Sequence, residues 1–131
     1  MILVDTSVLI DFFKGTKNKE SRKFESILRM NIPFGISSFI FQEILQGAVS
    51  EKEYDLLKNY LATQRFYNPT DSLESFDKAA RIYMDCRKKG ITIRSTIACI
   101  IAVTALEHDL LLLHNDKGYV LMQKVIPLKF Y

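Results

Sequence analysis

The stretch Met1–Ser7, MILVDTS, is an apolar run that ends abruptly at an acidic residue. Ile, Leu and Val in unbroken succession are typical of a strand that is buried on both faces inside a parallel sheet. Asp5 would then stand at the carboxyl end of this strand, where open α/β sheets place their ligand-binding groups. A second run, Leu110–Leu113, is followed directly by the sequence HND, which ends at Asp116. Together the two runs predict one acidic site built from distant parts of the chain.

Composition limits the class of protein. The chain has 131 residues, of which 48% are hydrophobic and 25% charged, as expected for one globular domain. Its net charge of +3 permits a polyanionic partner without requiring one. No segment reaches the roughly 18 apolar residues of a membrane span, and no basic leader precedes the first strand. We therefore expect a cytoplasmic protein without membrane contact, in which Cys86 and Cys99 are free thiols.

Hydrophobic periodicity alternates between strand and helix patterns along the chain. We expect strands over residues 1–4, 32–37, 110–113 and 125–130, and helices over residues 8–14, 38–47, 50–61, 72–89 and 96–108. Phe24, Ile27 and Leu28 also recur at helical spacing. Ser38 is the expected N-cap of its helix, and Ser50 with Glu53 fits a capping box. The helix over residues 96–108 is apolar on nearly every face, so it should be buried in the core. Strands that alternate with helices predict an α/β fold, with a mostly parallel sheet of four to five strands flanked by helices.

A third acid, Glu43, lies on the helix that follows the second predicted strand. Carboxylates that converge on one cleft repel each other, and a hard divalent cation such as Mg²⁺ or Mn²⁺ relieves that repulsion. Such a site suits a phosphodiester substrate, because the cation neutralises charge on the phosphate. The structural alternative is that Asp5 only caps the following helix and that Asp116 only heads a turn with Gly118.

Four segments of the chain resemble one known family. They are VDTS at 4–7, FQEI at 41–44 with Gly47 after it, TIACIIA at 96–102 with ALEH at 105–108, and LHND at 113–116. In combination these motifs resemble the PIN domains, and within them the small bacterial VapC-type toxin ribonucleases. The resemblance covers essentially the whole chain, so it implies one PIN domain over residues 1–131 with a three-layer sandwich fold.

The resemblance also implies an activity and its partners. Members of the family are Mg²⁺-dependent endoribonucleases that act on RNA and are held inactive by a small cognate antitoxin of the VapB type, and we expect a homodimer. Carried over by position, Asp5, Glu43 and Asp116 match catalytic acids and metal ligands. Thr6 or Ser7 matches a hydroxyl group that helps to order the site.

The chain departs from the family pattern at Ala98, where an acidic ligand is expected in the first turn of the buried helix. Local physics favours an acid there too: if Ser95 is the N-cap, position 98 is N3, where a capping box and the helix dipole both favour a carboxylate. We interpret Ala98 as an inactivating loss of that acid, either natural or introduced. Arg94 lies close by and is a candidate for binding substrate phosphates.

Other functions compete with this interpretation. A non-catalytic PIN-type module that binds RNA or protein would also tolerate Ala98. A phosphotransferase with an aspartyl nucleophile is disfavoured, because Ser7 stands where that class needs a second Asp. The aromatic residues Phe12, Phe13, Tyr54 and Tyr60 are candidates for a partner-binding surface on the early helices.

Overall fold

A computed structural model of the protein describes residues 1–131. Eleven elements follow one another along the chain: β1 (Ile2–Val4), α1 (Thr6–Phe13), α2 (Lys19–Arg29), β2 (Phe34–Ile36), α3 (Ser38–Gln46), α4 (Glu51–Leu61), β3 (Arg65–Phe66), α5 (Glu74–Lys88), α6 (Thr96–Glu107), β4 (Leu111–Leu113) and α7 (Lys117–Met122).

The four strands form one parallel sheet in the order β3-β2-β1-β4. Central β1 pairs with β2 through Ile2 opposite Phe34, and with β4 through Val4 opposite Leu113. The predicted parallel α/β architecture is therefore confirmed, with four strands. Because β1, β2 and β4 run in the same direction, the segments that follow them all leave the sheet at one edge. None of the helices is both long enough and apolar enough to cross a membrane.

The core lies on and around the two central strands. Every residue of β1 is buried, as the unbroken apolar run predicts. Helix α6 is buried continuously from Ala98 to Ala105, which confirms the prediction of a core helix. Its main helical neighbour is α5, whose apolar face includes Ala79 and Ile82. Cys86 and Cys99 are both buried and free, as expected.

Helix ends follow the predicted capping residues with two corrections. The N-cap of α3 is Ser37 rather than the expected Ser38, because the Ser37 side chain accepts the backbone N–H of Ile40. Ser50 caps α4 as predicted, by accepting the N–H of Glu53. The Glu53 carboxylate, however, bonds the N–H of Val49 and not that of the cap, so the predicted capping box is incomplete.

The structure contains two elements that the periodicity did not predict, β3 and α7. Both are too short to show a reliable hydrophobic pattern, since β3 has two residues and α7 has six. The predicted strand over residues 125–130 is wrong in extent. Only one parallel bridge, between Leu112 and Phe130, remains of it.

Candidate functional site

Asp5 stands at the carboxyl end of β1, and its side chain is only 6% exposed. It is the N-cap of α1, so the structural role considered for it is real. Its Oδ2 atom accepts hydrogen bonds from the backbone N–H of Ser7 at 3.1 Å and from the Ser7 hydroxyl at 2.7 Å. One oxygen of the carboxylate is thereby tied to the first turn of α1.

The second oxygen of Asp5 is bound from the other end of the chain. The hydroxyl of Tyr119, on α7, donates to Asp5 Oδ1 at 2.8 Å, across 114 positions of sequence. Tyr119 is 2% exposed. Burial, followed by the charge of Asp5 and its hydrogen bond, raises the pKa of Tyr119 well above its usual value, so the phenol is a neutral donor. Helix α7 has no periodic signal in the sequence, and this contact was not predicted.

Glu43, on α3, lies beside the same strand end. The hydroxyl of Thr6 donates to Glu43 Oε1 at 2.8 Å. Burial raises the pKa of the Glu43 carboxyl, the Thr6 hydrogen bond opposes this rise, and the negative charge of Asp5 adds to it. The structure therefore brings two acids, Asp5 and Glu43, into electrostatic contact, each with a hydroxyl donor from the segment VDTS.

Asp116 is exposed and is the N-cap of α7, where its Oδ1 atom accepts the N–H of Gly118 at 2.8 Å. The turn-forming role considered for it is thus also real. Its charge nevertheless contributes to the raised pKa of Tyr119, together with those of Asp5 and Glu43. The charges of all three predicted acids therefore act on one buried hydroxyl group.

A small polar network holds the exit of β4 against α1. The Ser7 hydroxyl accepts the backbone N–H of Asn115 at 2.9 Å while it donates to Asp5. The Asn115 amide also donates to Asp11 at 3.2 Å, and Asn18 donates to the same Asp11 oxygen at 2.8 Å. Sequence reasoning missed Asp11, which sits two turns along α1 from the site and had no neighbouring acid to mark it.

Ala98 lies in the first turn of α6 and is 6% exposed. Ser95 is the N-cap of α6, as expected, but its side chain makes no capping hydrogen bond. Position 98 is therefore N3 of a helix whose first turn contains no acid. Arg94 precedes this helix; it is exposed and forms no ion pair.

The carboxylate oxygens at the site are chemically suited to a hydrated divalent cation, but few of them lie close together. No group of three or more His, Cys, Asp or Glu side chains is arranged to hold a metal ion. Mg²⁺, however, is usually bound by one or two carboxylates and keeps several waters. The coupled pair Asp5 and Glu43 supplies oxygen ligands of this kind, and a cation would relieve the repulsion that contributes to the raised pKa of Glu43.

Two depressions flank the site. The first, here called the α1–α4 groove, has a volume of about 160 Å³ and contains Glu43 itself; its other lining residues include the apolar Ile10, Phe13, Ile44 and Leu57 and the charged Lys14 and Glu53. The second, here called the α5–α6 groove, has a volume of about 420 Å³ and is almost wholly apolar; its lining residues include Phe39, Phe76, Ala80, Tyr83, Ile97 and Cys99.

Comparison with known proteins places this geometry in a family. Ribonuclease VapC11 of Mycobacterium tuberculosis is 28% identical over 130 residues, which cover 98% of this chain and 96% of that relative. The structure of VapBC2 from Rickettsia felis bound to a promoter DNA fragment has a TM-score of 0.74 at 15% identity, covering 100% of this chain and 98% of the other. The structure of VapBC-1 from nontypeable Haemophilus influenzae has a TM-score of 0.72 at 18% identity, covering 100% of this chain and 97% of the other.

The two solved structures share the fold, and the mycobacterial relative extends the similarity to sequence along almost the whole chain. The family model described as the PIN domain matches residues 2–125. This match includes the exits of β1 and β4 and the helices that carry Glu43 and Ala98. The chain belongs to the PIN domain family.

Proposed function

We propose that this protein is a divalent-cation-dependent endoribonuclease toxin of a toxin–antitoxin pair, acting in the cytoplasm. The observation that carries the proposal is the pair Asp5 and Glu43, held side by side at the carboxyl edge of the sheet by hydroxyl groups of the segment VDTS. Similarity to a protein named VapC ribonuclease over 98% of the chain supports the same activity.

Asp5 and Glu43 would hold Mg²⁺ or Mn²⁺ directly, and Asp116 would be the third ligand, reaching the ion either directly or through one of the waters that Mg²⁺ keeps. When bound, the ion supplies positive charge for the scissile phosphodiester and lowers the pKa of a water molecule that serves as nucleophile. The protein's part is to orient the acids. Ser7 and Tyr119 fix the two oxygens of Asp5, and Thr6 fixes one oxygen of Glu43.

Substrate binding requires positive charge and hydroxyl groups at the same edge of the sheet. Arg94 is exposed, unpaired and adjacent to the first turn of α6, so its guanidinium is free to bind a phosphate. The hydroxyl protons of Thr6 and Ser7 are donated to Glu43 and Asp5, so their oxygens can only accept a further hydrogen bond, such as one from a ribose 2′-hydroxyl. We propose that these three residues bind the RNA backbone.

We propose further that Ala98 weakens or abolishes the activity of this chain. The first turn of α6 points its backbone N–H groups and the positive end of the helix dipole toward its N-terminus. A carboxylate at N3 would be stabilised there and would raise the number of acids at the site from three to four. Without it, the proposed cation depends on fewer charged ligands.

The α1–α4 groove is the surface that we propose for the antitoxin. It presents Phe13 and Leu57 beside two carboxylates, Glu43 and Glu53, and one ammonium group, Lys14, so its net charge is negative. This combination matches an amphipathic peptide with apolar side chains and at least one basic side chain. A peptide seated there would place its positive charge on Glu43, in the proposed catalytic site. Solved relatives of the same fold are described as VapBC complexes, which supports a partner of this kind.

The α5–α6 groove is the surface that we propose for a homodimer. Phe76 is 43% exposed at its rim, and Leu73, in the turn before α5, is 79% exposed. Large apolar side chains clustered around an apolar groove are typical of a protein interface. The groove is separate from the α1–α4 groove, with which it shares no lining residue.

The decisive experiment is restoration of the acid at position 98. The purified Ala98→Asp variant should cleave RNA in the presence of Mg²⁺ or Mn²⁺, and this cleavage should stop when EDTA is added. Ala98→Asn is the matched control, because it has nearly the same shape without the charge, and it should remain inactive. Ala98→Asp combined with Asp5→Ala should also be inactive.

A non-catalytic PIN-type binding module is the second candidate, favoured by Ala98 and by the lack of a three-residue metal cluster. A folded Ala98→Asp variant that neither binds Mn²⁺ nor cuts RNA would select this candidate. The module would then bind RNA or protein through the exposed Arg94 and the two grooves, and the cleavage function would be lost altogether.

A further inference from the structure

Tyr119 is a buried phenol whose single polar group is committed to Asp5. Its hydroxyl donates at 2.8 Å to Asp5 Oδ1, and its ring lies 5.0 Å from that of His114, centre to centre. A buried tyrosine hydroxyl needs a hydrogen-bond partner, but a backbone carbonyl would serve that need equally well. Here the partner is the most deeply buried carboxylate at the acidic site.

The remaining hydrogen bonds to Asp5 come from the opposite side of the carboxylate. Ser7 supplies two donors to Oδ2, its backbone N–H and its hydroxyl. An ionised carboxylate has about four lone-pair sites. Three protein donors therefore occupy most of them, and the plane of the carboxylate is set by α1 at one oxygen and by α7 at the other.

Helix α7 also carries Asp116 as its N-cap, three positions before Tyr119. One short helix thus supplies an acid to the site and a hydroxyl group to a second acid. Because Asp116 and Tyr119 belong to the same turn, the hydrogen bond to Asp5 also fixes the distance between α7 and β1.

We infer that Tyr119 is a positioning residue for the Asp5 carboxylate and that its hydroxyl group sets the affinity of the acidic site for a divalent cation. The inference rests on the proposed function for the presence of that cation. Groups that hydrogen-bond a ligating carboxylate hold it in the orientation that a cation requires. Without the phenol, Oδ1 of Asp5 loses its protein donor, and the orientation of the carboxylate toward the cation is held by Ser7 at the other oxygen alone.

The test compares Mn²⁺ binding, by isothermal titration calorimetry, between Ala98→Asp and the double variant Ala98→Asp with Tyr119→Phe. The affinity should fall by about 10–100-fold when the hydroxyl is removed, the range found for groups that support metal ligands. Tyr67→Phe in the same background is the control, because the half-buried Tyr67 also packs against the core but lies next to His108 instead of the acids. Its affinity should not change.

A second measurement applies even if Tyr119→Phe does not fold. In Ala98→Asp, the hydroxyl proton of Tyr119 should be observed by NMR as a slowly exchanging signal, and that signal should persist when Mg²⁺ is added. Loss of the signal on Mg²⁺ binding would mean that the cation displaces the phenol, and this would overturn the inference. Equal or tighter Mn²⁺ binding by the folded double variant would overturn it as well.

Failure of the proposed function is distinguishable from failure of this inference. If Ala98→Asp binds no Mn²⁺ at all, the proposed function and this inference are both wrong, because both require a bound cation. If Ala98→Asp binds Mn²⁺ and loses affinity with Tyr119→Phe but cuts no RNA, the positioning role stands and the proposed substrate is wrong.

Discussion

Thr6 and Glu43 lie 37 positions apart in the chain, and the Thr6 hydroxyl donates a 2.8 Å hydrogen bond to the Glu43 carboxylate. Thr6 is the first residue of α1, and Glu43 lies in the second half of α3. The bond therefore joins the two helices that leave the sheet beside each other, after β1 and after β2. It also opposes the effects of burial and of the Asp5 charge on the pKa of Glu43.

Thr6→Val should raise the pKa of Glu43 further, because it removes the interaction that lowers this pKa. It should also cost about 0.5–1.5 kcal/mol of stability, the net contribution of a typical hydrogen bond. Carboxyl ¹³C NMR titration and urea unfolding measure the two effects. Thr6→Ser is the control, since it keeps the hydroxyl and should preserve both values. An unchanged Glu43 pKa in Thr6→Val would show that the bond is absent in solution.

Glu107, at the end of α6, should make the stability of the protein depend on pH in the acid range. Burial alone would raise its pKa, but hydrogen bonds from Thr70, Ser75 and Lys78 outweigh burial and hold the pKa below the ordinary value of 4.5. A lowered pKa means that its stabilisation is fully present above about pH 4.5 and is lost as pH falls through the folded-state pKa.

Glu107→Gln should therefore destabilise the protein at neutral pH by about 1–3 kcal/mol, because it weakens hydrogen bonds to a charged group. The difference from the unsubstituted protein should shrink as the pH falls below about 4.5, which chemical unfolding at several pH values would measure. Lys78→Ala is the control. Its ammonium group is 3.4 Å from Glu107 but its side chain is 53% exposed, so its loss should cost less. A pH-independent difference for Glu107→Gln would contradict the assignment.

Phe13 and Phe76 should affect different partners, because they lie in different grooves. Phe13→Ser should prevent co-purification with the product of a neighbouring small gene, the expected antitoxin, and leave the dimer intact. Phe76→Ser should disrupt the dimer, as measured by sedimentation at high concentration, and should leave co-purification with the antitoxin intact. The side chains are 38% and 43% exposed, so each variant should remain folded and serves as the control for the other. A single effect shared by both variants would contradict the assignment of two surfaces.

The two cysteines should be unreactive in the folded protein. Both are buried, and burial, with a smaller contribution from Cys86, raises the pKa of the Cys99 thiol to about 11. The thiolate is the reactive form, so little of it is present at pH 8. A thiol reagent such as DTNB should therefore label neither cysteine before unfolding and both after it. Fast labelling of the folded protein would show that α5 and α6 open readily.

Sequence patterns were sufficient for the larger elements and for the placement of the acids. Strand β1 and helix α6 were predictable because an apolar run and an all-round apolar helix are local properties of the sequence. The short β3 and α7 were not, because two and six residues contain too little periodicity to detect. The terminal strand was overestimated, because the backbone N–H groups of Val125 and Ile126 bond to Met122 and continue the turn after α7 instead of pairing with β4.

The candidate site also has features that could be predicted from the sequence and features that could not. That Asp5 and Asp116 follow buried strands is a property of the sequence by itself, because the apolar runs before them read directly as strands of a parallel sheet. Their roles as N-caps were also predictable from short-range preferences. The absence of an acid at position 98 is equally a fact of sequence, and it motivates the central experiment.

Only the tertiary structure decided which partners those acids have. The Tyr119 hydroxyl reaches Asp5 across 114 positions, and the Ser7 hydroxyl accepts the N–H of Asn115 across 108 positions. Neither contact has a sequence signal, because each depends on the register between β1 and β4 and on the angle at which a six-residue helix packs. Periodicity determines which face of an element is buried. Which polar group meets which across the core depends on the packed distances between elements, and these exist only in the folded chain.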